Sequence, residues 1–248
     1  MTVDALSLVG TSRFGYRRTA EDTLRDLDAE GIATAVVAPM HPADGDLAAA
    51  NRELAGVVAR SGGRLVALVR VAPWDGDAAL AELARAVEDG ARGVFLHPAE
   101  DHFAVNDVRL RPIAERAGEL GVPVVVAAGF PWQSEAPQVA RFAQWCPDVP
   151  VVMTNGGVLN ISGGGQFGVH QALAGTRTCV LTNGMYRDDY LALIARKFGA
   201  DRLLFGSFAP RFDARFEHRR AARIDLTDDE RALVMGGNAE RLFRIARP

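Results

Sequence analysis

The chain carries five histidines, His41, His97, His102, His170 and His218, and no two of them form a His-x-His pair or an HExxH motif. Transition-metal chemistry needs three or four imidazole, thiolate or carboxylate donors gathered at one point, so a metal centre here would have to be assembled from scattered loops. A single imidazole needs no such company. Its pKa near neutrality suits general acid or base work, and His97, closing the apolar run RGVFLHP, is the candidate catalytic residue, with a purely structural role at a strand end as its alternative. Neutral polar groups close other runs: Asn155 after Thr154, Asn183 after Thr182, and Ser207. Such groups stabilise a developing negative charge or orient a ligand, and they equally cap turns. Arg70 could pair with a ligand carboxylate or phosphate, or neutralise a buried acid such as Asp4. Asp75, Glu100 and Asp101 read as solvated loop acids, and Trp74 and Trp132 as aromatics able to wall a pocket. The GGGQFG stretch at 163–168 matches GxGxxG only formally, because no clear strand–turn–helix surrounds it, and no Walker A or GxSxG motif is present.

Composition narrows the partners. With 248 residues, 48% of them hydrophobic, the chain suits one large globular domain spanning 1–248. A formal net charge of -3 without a basic block gives no footprint for nucleic acid or an anionic membrane, which leaves a small-molecule ligand and is compatible with a homodimer. Cys146 and Cys179 match no zinc or redox spacing and read as reduced, packed thiols of a cytoplasmic protein. No cofactor is called for.

The elements that must position these residues repeat. VDALSLV, ATAVVAP, RLVALVRV, RGVFLHP, VPVVVAA, PVVMTN, RTCVLT and DRLLFGS are short apolar runs rich in β-branched residues, and amphipathic stretches such as TAEDTLRDLDAEG and NDVRLRPIAERAGELG separate them. Several of those stretches open at Asp, Asn or Thr and close at Gly, as helices do. Eight strand–helix units at intervals of roughly 25 to 30 residues predict an α/β single-domain (β/α)8 TIM barrel, with chemistry expected at the C-terminal ends of the strands. The sixth unit is the weakest, VLNISGGGQFGVHQALAG supplying at best a short helix, and TDDERALVMGGNAERLFRI predicts two short terminal helices. Alternation in VDALSLVG sends Asp4, Leu6 and Leu8 to one face and Ala5, Ser7 and Val9 to the other.

VDALSLVG, the NREL helix, RGVFLHP, VPVVVAAG, VPVVMTNGG, DRLLFGSFAP and GGNAERLF follow one another as in a known group. Over nearly its whole length the sequence resembles the amidohydrolase-related branch of the metal-dependent amidohydrolase superfamily, which includes hydrolases and aminocarboxymuconate-semialdehyde-type decarboxylases. The resemblance implies a His-x-His pair at Leu6 and Leu8, a lysine or other polar group at Phe95, histidines at Ala127 and Asn155, and an aspartate at Phe208. None of these six residues is a good zinc ligand. The resemblance thus implies the fold and argues against its usual chemistry.

Together, Leu6, Leu8, Phe95, Ala127 and Phe208 would form an apolar chamber with Arg70, His97, Asn155, Asn183 and Ser207 as polar contacts and Trp132 near its mouth. That composition suits a metal-independent lyase, cyclase, isomerase or hydrolase acting on a partly hydrophobic small molecule. A catalytically silent barrel that binds a ligand or partner enzyme accounts for the same residues if the lumen is simply packed. A metal-dependent hydrolase or decarboxylase is the third reading, and the residues oppose it.

Overall fold

The computed structural model describes residues 1–158, 164–185 and 187–246. Strand β1 (Val3–Thr11) pairs in parallel with β3 (Thr34–Pro39), and β3 with the third stave, which is broken at Leu68 into β4 (Leu65–Ala67) and β5 (Val69–Arg70). From β5 the parallel order continues through β6 (Val94–Leu96), β7 (Val124–Val126), β8 (Val151–Met153), β9 (Cys179–Leu181) and β10 (Leu203–Leu204). The last stave returns to the first: Ala5 N–H donates to Phe205 O (2.9 Å), Phe208 N–H to Leu6 O (2.7 Å) and Leu8 N–H to Ala209 O (2.7 Å). The sheet is therefore a closed ring of eight parallel staves, the expected (β/α)8 barrel. A short strand β2 (Arg17–Arg18) folds back antiparallel on Gly10 and Thr11 at the end of β1.

Parallel strands covered on both faces need apolar residues on both, which explains the uninterrupted valine runs. Alternate residues then part into two cores. Val94, Leu96, Val124, Val126, Val151 and Met153 pack outward against the helices, whereas Phe95, Val125, Val152, Leu181 and Leu204 fill the lumen with Leu6 and Leu8. In β1 the register shifts between Asp4 and Ser7, so the expected alternation fails there: Ala5 joins Leu6 in the lumen cluster.

The returning helices start and stop where their caps dictate. Helix α1 (Ala20–Glu30) opens on a reciprocal Thr19–Asp22 capping box and closes at Gly31, whose φ of 65° a side chain would resist. Helices α2 (Leu47–Ala59), α3 (Asp77–Glu88), α4 (Arg111–Leu120) and α5 (Ala136–Ala143) follow their strands in turn. The sixth unit differs from expectation, since α6 (Gly164–Gly175) is a full 12-residue helix. Its glycines serve packing: a Cβ on Gly168 would stand 2.9 Å from Pro137 of α5, and one on Gly165 2.8 Å from Val158. Gly163 of the GxGxxG match lies outside the described residues. After α7 (Asp188–Phe198) and α8 (Ala214–Ala221), the chain ends in the two expected short helices, α9 (Asp228–Ala232) and α10 (Asn238–Leu242), joined by a π-helical turn at Leu233–Gly237. No described helix is long and apolar enough to cross a membrane.

Candidate functional site at the strand ends

The lumen is built in layers. At its base, Asp4 accepts from Ser207 Oγ (2.6 Å), Ser207 N–H (2.7 Å) and Leu6 N–H (3.2 Å). Burial lifts the Asp4 carboxyl to about 6, against the pull of the Ser207 hydrogen bonds. Ser207 is thus committed to stitching the last stave to the first. Arg70, one of the expected partners of Asp4, lies elsewhere.

Above this lies the apolar layer. Leu6, Phe95 and Ala127 are wholly buried, Leu8 is 3% and Phe208 1% exposed. Phe95 meets Phe208 edge to face with ring centres 6.3 Å apart. The apolar chamber expected from the sequence is therefore a packed core, as in barrels whose interiors are filled by bulky side chains. Phe208 takes a left-handed backbone, φ 54°, which costs a bulky residue about 1 kcal/mol or more and is held by the packing around it.

A charged layer closes the mouth. Arg70 is fully buried, stacked over Phe95 at 5.6 Å, and its guanidinium donates to both oxygens of Asp101 (2.7 and 3.2 Å), to Glu100 Oε2 (2.8 Å) and to Pro39 O (3.3 Å). Glu100 also receives Arg211, whose guanidinium lies over Phe208 and Tyr16. Two guanidiniums thus face two carboxylates. Glu100 and Asp101, expected as solvated loop acids, are buried counter-ions instead, because ring closure seals the turn after β6 under the strand ends. Burial raises the Asp101 carboxyl although Arg70 pulls it down. His41 Nδ1 donates to Pro42 O (2.8 Å) and turns Nε2 toward Asp101 at 3.6 Å.

His97 sits where this layer meets the aromatic one, enclosed by Phe95, Phe130 and Phe208. Its Nδ1 accepts from Glu100 N–H (3.2 Å), which assigns the proton of the neutral ring to Nε2. Burial, and next the nearby Arg70 and Arg211, hold the imidazole well below its ordinary pKa. The ring is neutral at physiological pH. Its Nε2 lacks a hydrogen-bond partner, as does the buried Nε of Arg211, and Glu100 Oε1 is 3.7 Å from that Nε2.

The remaining candidates stand apart from this cluster. Asn155 Nδ2 donates to Ala128 O (2.9 Å) and Thr154 Oγ1 (3.0 Å), while its Oδ1 accepts from Asn183 Nδ2 (2.8 Å) and Asn183 Oδ1 accepts from Asn155 N–H (3.2 Å). Both amides are spent on bracing β8 to β9. Since Val152 faces the lumen and Met153 the helices, alternation carries the lumen side on to Thr154, not Asn155. Trp132 is 85% exposed and Trp74 half exposed, its indole donating to Asp101 O (2.6 Å). Cys146 and Cys179 are free and buried, with thiols pushed up by burial to about 12 and about 11. The sequence reading missed Arg211, Phe130 and His41, whose signal was only that each follows a strand end by a few residues.

The family model for an amidohydrolase matches residues 9–245. The chain belongs to that family. No curated protein is matched by sequence. Among solved structures, this family member resembles a dihydroxybenzoic acid decarboxylase from Polaromonas with bound manganese and the inhibitor 2-nitroresorcinol, at TM-score 0.83 and 17% identity over 100% of this chain and 98% of that one. It also resembles an uncharacterised TIM-barrel protein from Bordetella bronchiseptica, at TM-score 0.82 and 20% identity over 98% of each. A probable 2-pyrone-4,6-dicarboxylic acid hydrolase from Acinetobacter baumannii with citric acid bound follows at TM-score 0.77 and 16% identity, over 98% of this chain and 99% of that one. The fold is common to all. In the lumen of this family member leucine, phenylalanine and alanine offer a divalent metal no donor, and among the described residues there is no group of three or more His, Cys, Asp or Glu that could hold a metal ion.

Proposed function

We propose that this amidohydrolase-family member works without a divalent metal and recognises a small carboxylate at the mouth of its barrel. The observation that carries the reading is the pair of buried, unpartnered donors, His97 Nε2–H and Arg211 Nε–H, surrounding a carboxylate that Arg70 and Arg211 already hold. Buried donors left unpaired are costly, and a site rich in them favours an acceptor. Glu100 is its resident acceptor. When Glu100 swings outward, a ligand carboxylate takes its place between the two guanidiniums, with His97 Nε2–H as a third donor. The 2,6-dihydroxybenzoate and citric acid bound in structural neighbours are carboxylic acids, which supports this ligand class. His97, neutral with its proton on Nε2, is positioned to donate a hydrogen bond to negative charge that develops on a bound carboxylate during a lyase or isomerase step. The packed lumen favours a second reading, a catalytically silent barrel that keeps the carboxylate site for binding alone.

The test combines elemental analysis of untagged protein with titration of benzoate and benzyl alcohol. Metal-free protein that binds benzoate but not benzyl alcohol, tighter in Glu100→Gln and not at all in Arg211→Met, supports the reading. About one transition metal per chain overturns it. Turnover of a carboxylate that His97→Gln abolishes, with binding retained, separates the enzyme from the silent barrel.

A further inference from the structure

Helix α2 buries Leu47, Asn51 and Leu54, so its packed face carries an amide between two leucines. Asn51 opens the NREL stretch. A buried amide must spend its donors and its acceptor within the protein. Asn51 Oδ1 accepts from Arg70 N–H (2.9 Å), and Nδ2 donates to Arg70 O (2.9 Å) and to Glu82 Oε1 (3.0 Å). These partners fix which end of the amide is oxygen, because a backbone N–H can only donate. Glu82 is itself held by Arg85 on the same helix, α3 (2.7 and 2.8 Å).

Arg70 needs these bonds because its stave leaves the sheet. The pairing of β4 with β3 runs from Ala35 opposite Leu65 to Val37 opposite Ala67, and Leu68 N–H still donates to Val37 O (2.8 Å). The next β3 residue turned to this stave is Pro39, which has no N–H to answer Leu68 O, so the ladder stops. Successive strand residues aim their polar backbone groups at opposite neighbours. Val69 N–H accordingly turns to Gly93 O (3.0 Å), just before β6, and the backbone groups of Arg70 turn back toward β3. In an unbroken ladder Arg70 N–H would meet Pro39 O. Asn51 takes that N–H instead, and Pro39 O accepts from Arg70 Nη1 (3.3 Å). The amide thus stands in for a strand partner and leaves the Pro39 carbonyl to the guanidinium, whose other donors reach Glu100 and Asp101.

We infer that Asn51 is a positioning residue of the mouth: by bracketing the backbone N–H and C=O of Arg70 it sets the depth at which the guanidinium holds Glu100 and, in an inference that rests on the carboxylate reading, the ligand that displaces Glu100. Asn51 acts through Arg70.

Asn51→Ala removes the bracket without adding bulk. The experiment compares full-length parent and variant by the nitrogen-15 signal and water exchange of Arg70 Nε–H, and by benzoate titration. In the variant the Arg70 Nε–H signal should move, its exchange should quicken by about tenfold and benzoate should bind about tenfold more weakly, while Arg220 Nε–H, buried against Glu217, keeps its signal. In the parent, Arg70 N–H and the Asn51 side-chain N–H on Arg70 O should exchange as slowly as ladder amides; fast exchange of both in the folded parent overturns the inference without any variant. A merely structural amide would lower the urea midpoint of Asn51→Ala yet leave Arg70 Nε–H and benzoate affinity as in the parent, and that result also overturns it. A parent that fails to bind benzoate overturns the carboxylate reading and the inference with it, whereas a benzoate-binding parent matched by its variant overturns the inference alone.

Discussion

Replacing Arg70 with methionine removes the central cation of the mouth layer while keeping most of its apolar stem. Arg70 has no exposure to solvent, and its loss strips three charge-assisted hydrogen bonds from Asp101 and Glu100. Glu100 retains Arg211, but Asp101 is left with His41 at 3.6 Å. Breaking one partner out of a buried ion pair leaves an uncompensated charge and costs about 3–5 kcal/mol, which for a chain of this length lowers the melting temperature by about 6–20 °C. The sign of the pH dependence follows from Asp101. Its carboxyl is already raised from 3.8 by burial, with Arg70 opposing, so removing Arg70 raises it further. A raised folded pKa contributes stability that is present below the unfolded value and is lost as pH rises through the folded one. The penalty of Arg70→Met should therefore be small below about pH 4, where Asp101 binds a proton in both folded and unfolded chains, and should grow toward neutrality. Urea unfolding of parent and variant across that range measures it. A loss under about 1 kcal/mol at neutral pH, or a loss that does not change with pH, would refute the assignment of Arg70 as the buried counter-ion.

Asp4→Asn should flatten the stability profile of the parent between about pH 4 and pH 6. The rise of Asp4 from 3.8 to about 6 corresponds to roughly 3 kcal/mol, present below the lower value and lost through the upper, and urea midpoints against pH report it. Gly236→Ala should lower stability by about 1–3 kcal/mol in thermal melts, because a Cβ there would overlap Met1 O and the terminal segment must shift. The ring signals of His97 should stay those of a neutral Nε2–H tautomer from about pH 8 down to about pH 6, where an exposed histidine titrates, as nitrogen-15 spectra would show. A titration centred near 6.5 would contradict the burial argument.

Much of this architecture was legible in the residues alone, because strand and helix signals are local. Short apolar runs rich in β-branched residues marked the staves, Thr19 and Gly31 bounded a helix, and alternation put Leu6 and Leu8 on one face, the face that fills the lumen. The donorless character of Leu6, Leu8, Ala127 and Phe208 also needed no coordinates, since chemistry follows from residue type. Where local order broke, the reading broke with it: the register shift in β1 put Ala5 in the lumen, and the glycine-rich sixth unit formed a full helix by packing on α5. Tertiary structure alone decided the rest. Whether five apolar residues line a chamber or fill one depends on the ring's width, and Phe95 against Phe208 settles that they fill it. Arg70, Glu100, Asp101 and Arg211 come from the ends of three staves, and only closure of the sheet between β10 and β1 brings Arg211 to Glu100. Burial then turns ordinary loop acids into counter-ions and a lone histidine into a neutral, unpartnered donor, because the cost of a charge is set by surroundings that no short stretch of sequence contains.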